Sequence, residues 1–373
     1  MKNKIKILYL VSTLKRCGPT NQLFNIVSNL DESKFSAKII TLSKEAEDTL
    51  KPKFIEAGII VESLNLGRIM GLVKGFSKLK RKINDFKPNL VHSQGIRSDE
   101  YAAKLMKYGI KAIGTIRCIP NEDYLMTYGK LKGGIMAKNH LKNLQKLDKA
   151  ISVSNSIGLS LIKTGLETET IQNGCDIHRY KTVSEEEKTK IKKKLNLPEN
   201  KTILISVGHL STRKDPLTII KAFKNSKNKK DLYLMFVGDG DLYKQCEDEI
   251  KDEENIKLIG RVSNVEDYLK ASDVFISASL SEGLPNTVLE SLSCGVPTIL
   301  SNIPQHLEIF EGDSYQNMFF DTGDVVHLTQ IFEGISLSDL SVLPTRSIIE
   351  NKFDSKIMSL KYQDKYVELL KDK

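Results

Sequence analysis

Short apolar runs alternate with segments of helical period along nearly the whole chain, in two series separated by a stretch too polar to build a core. In the first series the runs at 5–12, 37–42, 59–64, 90–93, 111–116, 150–153 and 170–172 read as strands, and in the second those at 202–207, 232–237, 256–259, 274–277 and 298–300. Strands that alternate with helices imply parallel sheets covered by helices. The stretch at 184–200, dense in Lys and Glu, follows the turn Asn173-Gly174-Cys175-Asp176 and reads as the crossing into a new domain. At 373 residues the chain exceeds what one core serves, so two doubly wound domains are expected. Residues 354–370 read as a last helix with Ile357, Leu360, Val367 and Leu370 inward, a stripe that Asp364 interrupts and Tyr366 widens. Such sheets bind ligands at the carboxyl ends of their strands, here expected to face a shared cleft.

Composition narrows the class. Hydrophobic residues at 40% and charged residues at 28% describe a globular protein. The first apolar run is short, lacks a small-residue cleavage site, and reads as a buried strand rather than a signal peptide. Nothing reaches the ~18 consecutive apolar residues of a spanning helix, so membrane contact is expected to be peripheral. Cys17, Cys118, Cys175, Cys246 and Cys294 are odd in number and scattered, without the close pairs of a zinc site, and suit a reducing cytoplasm.

The net charge of +9 is uneven: residues 1–178 hold 29 Lys and Arg against 16 Asp and Glu, and residues 179–373 hold 27 against 31. A basic half suits nucleic acid, an anionic membrane or an acidic acceptor. Aromatics at 7%, with no Trp, are not interleaved with the cations as a strand binder needs, so an anionic membrane or lipid diphosphate ranks above nucleic acid. Two amphipathic segments carry part of this charge. In one, Ile69, Leu72, Val73, Phe76, Leu79, Ile83 and Phe86 share a face; in the other, Lys138, Lys142, Lys146 and Lys149 form a stripe beside Leu141, Leu144 and Leu147.

The chemistry concentrates in the second series. Ser281-Glu282-Gly283-Leu284-Pro285-Asn286-Thr287 enters a helix-like run in which Glu290 stands eight positions after Glu282. A loop opening a helix at Asn286-Thr287 offers free N–H groups and a positive dipole end to a diphosphate, and the two carboxylates can accept hydroxyls on either side of it. Taken alone, solvated carboxylates explain the same residues. Val207-Gly208-His209-Leu210-Ser211-Thr212-Arg213-Lys214 follows a strand, and Lys214 is the candidate to neutralise a leaving diphosphate, with Arg213 in reserve. Val237-Gly238-Asp239-Gly240-Asp241 lacks the third glycine of a dinucleotide fingerprint. Its Asp-x-Asp pair has no third ligand nearby, so glycines of a tight turn are the preferred reading and no metal is expected. In the first series Gly18, opening a helix after Cys17, permits close approach of a phosphate. His92 and His140 are lone histidines, read as structural.

In chain order, Lys214, Val237-Gly238-Asp239-Gly240, Glu282 to Glu290 and Cys294-Gly295-Val296-Pro297 resemble the retaining glycosyltransferases of family 4, and Ile171-Gln172-Asn173-Gly174-Cys175-Asp176 is similar to that family's Asn-Gly-Val-Asp end of the acceptor domain. The resemblance implies a GT-B fold of two facing Rossmann-like domains, acceptor-binding at 1–178 and nucleotide-sugar-binding at 179–350, with a helix at 351–373 crossing back onto the first. It implies that Glu282 contacts the donor sugar, Glu290 the ribose and Lys214 the diphosphate. Main-chain groups of Gly283, Leu284, Pro285, Asn286 and Thr287 would hold sugar and phosphate, with Gly208 in the same loop as Lys214 and Arg261-Val262 near the base. The reaction implied is transfer of a hexose or N-acetylhexosamine from a nucleotide sugar, with a lean to UDP from Pro285-Asn286, to a surface polysaccharide or lipid-linked saccharide. No cofactor beyond the donor is implied.

Two departures stand out. His209 occupies the place of a usual Arg, and Arg117 follows Gly114-Thr115-Ile116 where members often carry a His that helps at the transferring sugar. Arg117 is therefore expected to meet an anionic group. A UDP-sugar epimerase of the same build and an inactive sugar-nucleotide-binding scaffold remain the competing readings. The expected location is the cytoplasm, at the inner face of the cell membrane.

Overall fold

The first series of runs forms β1 (Ile5–Val11), β2 (Phe35–Thr41), β3 (Ile60–Ser63), β4 (Leu90–Gln94), β5 (Lys111–Ile116), β6 (Lys149–Ser152) and β7 (Glu169–Thr170). The computed structural model describes residues 4–311, 319–335 and 345–371. β1 is buried from Ile7 onward on both faces, which a parallel sheet clothed by helices requires of a middle strand. It pairs in parallel with β2 on one side and β4 on the other, within a sheet of order β3-β2-β1-β4-β5-β6-β7. The second series gives β8 (Thr202–Val207), β9 (Leu232–Val237), β10 (Ile256–Gly260), β11 (Val274–Ser277), β12 (Thr298–Ser301) and β13 (Phe319–Phe320), ordered β10-β9-β8-β11-β12-β13 and again parallel. Both sheets are doubly wound, as the alternation requires. β13 was not anticipated, because two residues carry no periodicity. In each sheet the strand order reverses once, between β1 and β4 and between β8 and β11, and the loops leaving those strands flank the usual ligand crevice of open α/β sheets.

The chain divides into two compact units, Met1–Gly174 with Ser355–Lys373, and Cys175–Asp354. The polar stretch after the turn lies inside the second unit as the helix Glu185–Lys194, which has no buried residue. Ser184 caps it, three Glu open it and three Lys close it, so dipole complementarity does what a core face cannot.

The last helix, Ser355–Lys371, packs on the helix Gly18–Ser28 of the first unit. Its inward face is not the expected one: Met358, Tyr362, Tyr366 and Leu369 are buried, whereas Leu360 is 56% exposed. The tyrosines displace the aliphatic stripe because their hydroxyls find partners inside. Tyr366 Oη lies 2.7 Å from His92 Nδ1 and 3.1 Å from Tyr9 Oη, His92 Nε2 lies 2.7 Å from Thr115 Oγ1, and Thr115 Oγ1 lies 3.0 Å from Tyr362 Oη. Burial pushes the His92 imidazole down to about 3, so it is neutral in this network. His140 is likewise buried, between Tyr124 Oη at 2.9 Å and Asp99 Oδ2 at 2.7 Å.

The cationic stripe also differs from expectation. Leu141, Leu144 and Leu147 belong to the core, and Lys149 lies in β6 paired with Glu169. In the helix Lys130–Leu144 the exposed face runs instead from Leu131 and Ile135 to Lys138 and Lys142. In the helix Arg68–Phe86, Leu79 and Ile83 are buried as expected, and the side chains of Ile69, Leu72 and Val73 lie outside the described residues.

Candidate active site

β8 leads into Gly208 at φ +152°, a conformation L side chains rarely adopt. A Cβ on Gly238 would sit 1.9 Å from Gly208 O, so the bare glycines let the turns after β8 and β9 nest. Leu210 N donates to Asp239 O at 3.0 Å and completes that contact. Thr212–Lys214 then makes a single 3-10 turn, and Asp215 accepts from Thr218 N and Thr218 Oγ1 to cap the helix Pro216–Asn225. The turn folds Lys214 back over Gly208, where its Cε would stand 3.3 Å from an added Cβ.

β11 brings the partner. Glu282, 8% exposed, receives Lys214 Nζ at 2.6 Å and Ser279 Oγ at 2.7 Å on Oε1, and Arg213 Nη1 at 2.9 Å on Oε2. Leu280 N donates to Arg213 O at 2.8 Å, which ties the two loops together. Burial raises the Glu282 carboxyl, yet Lys214 and Arg213 outweigh it and hold the group down at about 2. Two cations against one carboxylate leave a local excess of positive charge.

The helix Asn286–Ser293 begins directly beyond, with Pro285 as its N-cap and no acidic residue in its first turn. The positive end of its dipole therefore meets no acidic side chain of its own first turn. Val288, Leu289 and Leu292 bury its inner face, so Thr287 and Glu290, one turn apart, share the other. Burial pushes Glu290 up to about 7, against the pull of Arg179 and a hydrogen bond with Tyr180, and Lys214 also acts on it. Lys214 therefore bears on both carboxylates, eight positions apart in sequence.

Of the other expected residues, His209 is exposed beside Gly208, and Arg261 is exposed with Val262 partly buried after Gly260, whose φ is +76°. Gly283 is partly buried and Leu284 is 3% exposed, in the loop before Pro285. Asp239 accepts from Gly240 N at 2.7 Å, and among the described residues no three His, Cys, Asp or Glu are grouped to hold a metal ion. Gly18 and Arg117 belong to the first unit. Gly18 opens the helix Gly18–Ser28 after β1, and Arg117 follows β5 and donates to Asn173 Oδ1 and Gln94 Oε1.

Four side chains beside the carboxylates escaped the sequence reading. Ser279 orients Glu282, and Arg179 with Tyr180 meets Glu290 while Arg179 pairs with Glu266 at 2.9 Å. His306 is fully buried, its Nδ1 donating to Ser301 O at 2.7 Å and its Nε2 unpartnered, and burial pushes it down to about 4 although the Glu282 charge draws it up. A signal existed for Arg179: Asp176 of the quoted turn accepts from His178 N and Arg179 N, an Asx turn that aims the following residues.

Residues 187–336, which include Lys214, Glu282 and Glu290, match the family described as Glycosyl transferases group 1. The findings support a glycosyltransferase. The chain is 26% identical over 378 residues to the O-antigen biosynthesis glycosyltransferase WclY of Escherichia coli, covering 99% of each. It is 33% identical over 145 residues, 37% of each chain, to the UDP-Gal:alpha-D-GlcNAc-diphosphoundecaprenol alpha-1,3-galactosyltransferase of Escherichia coli. Anabaena HepE, solved in complex with UDP-glucose, superposes with a TM-score of 0.82 at 16% identity, over 99% of this chain and all of that one, and shows the GT-B fold. In this glycosyltransferase the Lys214 turn and the Glu282 loop thus leave the two strands at which the second sheet reverses its order.

Proposed function

We propose that the second unit binds a UDP-sugar and that the chain transfers its hexose or N-acetylhexosamine, with retained anomeric configuration, to a saccharide or lipid-linked saccharide of a surface polysaccharide. One observation carries this reading: Glu282 clamped by Lys214, Arg213 and Ser279 beside a helix start with no acidic residue in its first turn. The two cations and the helix N–H groups meet the charge that grows on the departing diphosphate, in fixed positions where no reorganisation is needed. Glu282 takes sugar hydroxyls and Glu290 the ribose, with Gly208, His209 and Gly283 to Thr287 lining the phosphate and Arg261 with Val262 nearest the base. Gly18 is assigned to phosphate, and Arg117 to an anionic substrate group. The UDP assignment draws on the galactosyltransferase relative, whose name specifies UDP-Gal, and on HepE with UDP-glucose. The acceptor assignment draws on the WclY relative and the basic first half.

The same reading extends to an anionic membrane that presents the acceptor. Met126, Tyr128, Leu131 and Ile135 are 54%, 46%, 83% and 57% exposed at the junction of the helices Pro120–Tyr128 and Lys130–Leu144, beside exposed Lys130, Lys132 and Lys138. Apolar side chains flanked by cations suit an interfacial contact, and each Lys near an anionic surface adds about 1 kcal/mol of attraction.

The test is a melting screen against nucleotide sugars followed by product analysis. A donor at about 100 times its dissociation constant adds about 2.7 kcal/mol of stability. Stabilisation by UDP-sugars, and a transferred sugar whose NMR coupling shows the donor's anomeric configuration, is the expected result. Epimer formed without acceptor would favour the epimerase, and binding without consumption the scaffold.

A further inference from the structure

A second polar arrangement lies in the first unit, at the carboxyl ends of β4 and β5. Arg117 Nη1 donates to Asn173 Oδ1 at 3.0 Å and Nη2 to Gln94 Oε1 at 3.2 Å. Both acceptors are neutral amides, and among the described residues no carboxylate acts on the guanidinium. Because Gln94 gives its Oε1 to Arg117, its amide is fixed with Nε2 as the remaining donor. That Nε2 and Arg117 Nε are both buried and have no acceptor.

The surroundings supply further positive potential. The helix Gly18–Ser28 starts in the loop after β1 with no side-chain cap and no acidic residue in its first turn, and Cys17 Sγ turns to Thr20 Oγ1 instead. Gln22 Nε2 donates to Gly174 O at 2.8 Å and Gly174 N donates to Gln22 Oε1 at 3.0 Å, which fixes Asn173, and with it Arg117, against that helix. β1 and β4 are the strands at which this sheet reverses its order, the usual place for a ligand. A neutral hydroxyl would fill one donor and leave the charge uncompensated. A carboxylate or phosphate satisfies both donors and the charge together, in the charge-assisted geometry that favours Arg.

We propose that Arg117 and Gln94 hold an anionic oxygen group, carboxylate or phosphate, on the saccharide acceptor. The word acceptor rests on the glycosyltransferase reading; the anion site itself does not. The decisive variant is Gln94→Glu, which gives Arg117 an internal carboxylate and so preserves or raises stability while closing the site to anions. Malonate and inorganic pyrophosphate are titrated calorimetrically into the 373-residue chain saturated with UDP, alongside Gln94→Glu and Arg117→Gln. The expected result is binding of at least one anion by the wild type, weakened at least about tenfold in both variants, with UDP affinity unchanged. Preference for malonate assigns a carboxylate-bearing acceptor, and preference for pyrophosphate a phosphate-bearing one. Failure of the wild type to bind either anion, or equal binding by Gln94→Glu, overturns the proposal. Absence of UDP binding would count against the donor reading alone.

Discussion

Replacing Glu282 by Gln separates what holds the candidate site together from what works in it. The carboxyl is held at about 2 against an ordinary 4.5, a shift worth about 3 kcal/mol of native-state stability at neutral pH. The residue is only 8% exposed, so solvent screening removes little of this. Glu282→Gln leaves Lys214 and Arg213 facing each other without their shared anion, and loss of one partner of a buried pair costs about 3–5 kcal/mol. For a domain of this size that corresponds to a melting temperature lower by roughly 6–20 °C. The pH dependence has a definite sign. A depressed carboxyl stabilises above its unfolded value of 4.5 and loses that contribution as the pH falls toward 2, so the gap between wild type and variant is constant near neutrality and closes in acid. Function moves differently. The variant removes the negative charge beside Lys214 and Arg213, so UDP affinity does not fall, while sugar transfer collapses because the sugar's acceptor of hydroxyls is weakened. Urea denaturation across pH, with calorimetry for UDP and a transfer assay, reads all three. A stability loss below about 1 kcal/mol, the level of a surface pair, together with undiminished transfer would refute the reasoning.

Three further outcomes follow from other parts of the molecule. Glu290 sits at about 7 when free, and ribose hydroxyls need its ionised form, so UDP affinity relative to Glu290→Gln should be highest above pH 7 and decline as the pH drops through 7; calorimetry at several pH values checks this. Tyr366→Phe leaves buried His92 Nδ1 and Tyr9 Oη without their shared partner and should cost about 1–3 kcal/mol in urea denaturation, with UDP affinity unchanged. Replacing Leu131 and Ile135 together by Ser should reduce co-sedimentation with phosphatidylglycerol vesicles without changing the melting temperature, since both side chains are already exposed.

The fold was legible because period is a local property. Twelve strands announced themselves as apolar runs between helical segments, whereas their order within each sheet came only from the structure. The Glu282 and Lys214 loops could be placed at one edge because each follows a strand, and strands of parallel sheets deliver their carboxyl-end loops to one edge, but the ion pair between them is a finding of the structure. What stayed hidden depends on partners distant in sequence. The inward face of the last helix was misassigned because the aliphatic count favoured Leu360, whereas the hydroxyls of Tyr362 and Tyr366 are satisfied only by residues of β1, β4 and β5. The absence of an acid partner for Arg117 among the described residues and the neutral state of His306 likewise follow from burial among distant segments. Lys149 looked like part of a helical stripe because its spacing fits one, yet the chain had already turned into β6.

The central claim is that Lys214 and the start of the helix Asn286–Ser293 hold the diphosphate of a UDP-sugar. Calorimetric titration of UDP into the wild type and into Lys214→Ala, at neutral pH and low salt, tests it most directly. The account predicts binding by the wild type and an affinity at least about tenfold weaker in the variant. Equal affinity in the two proteins would contradict it.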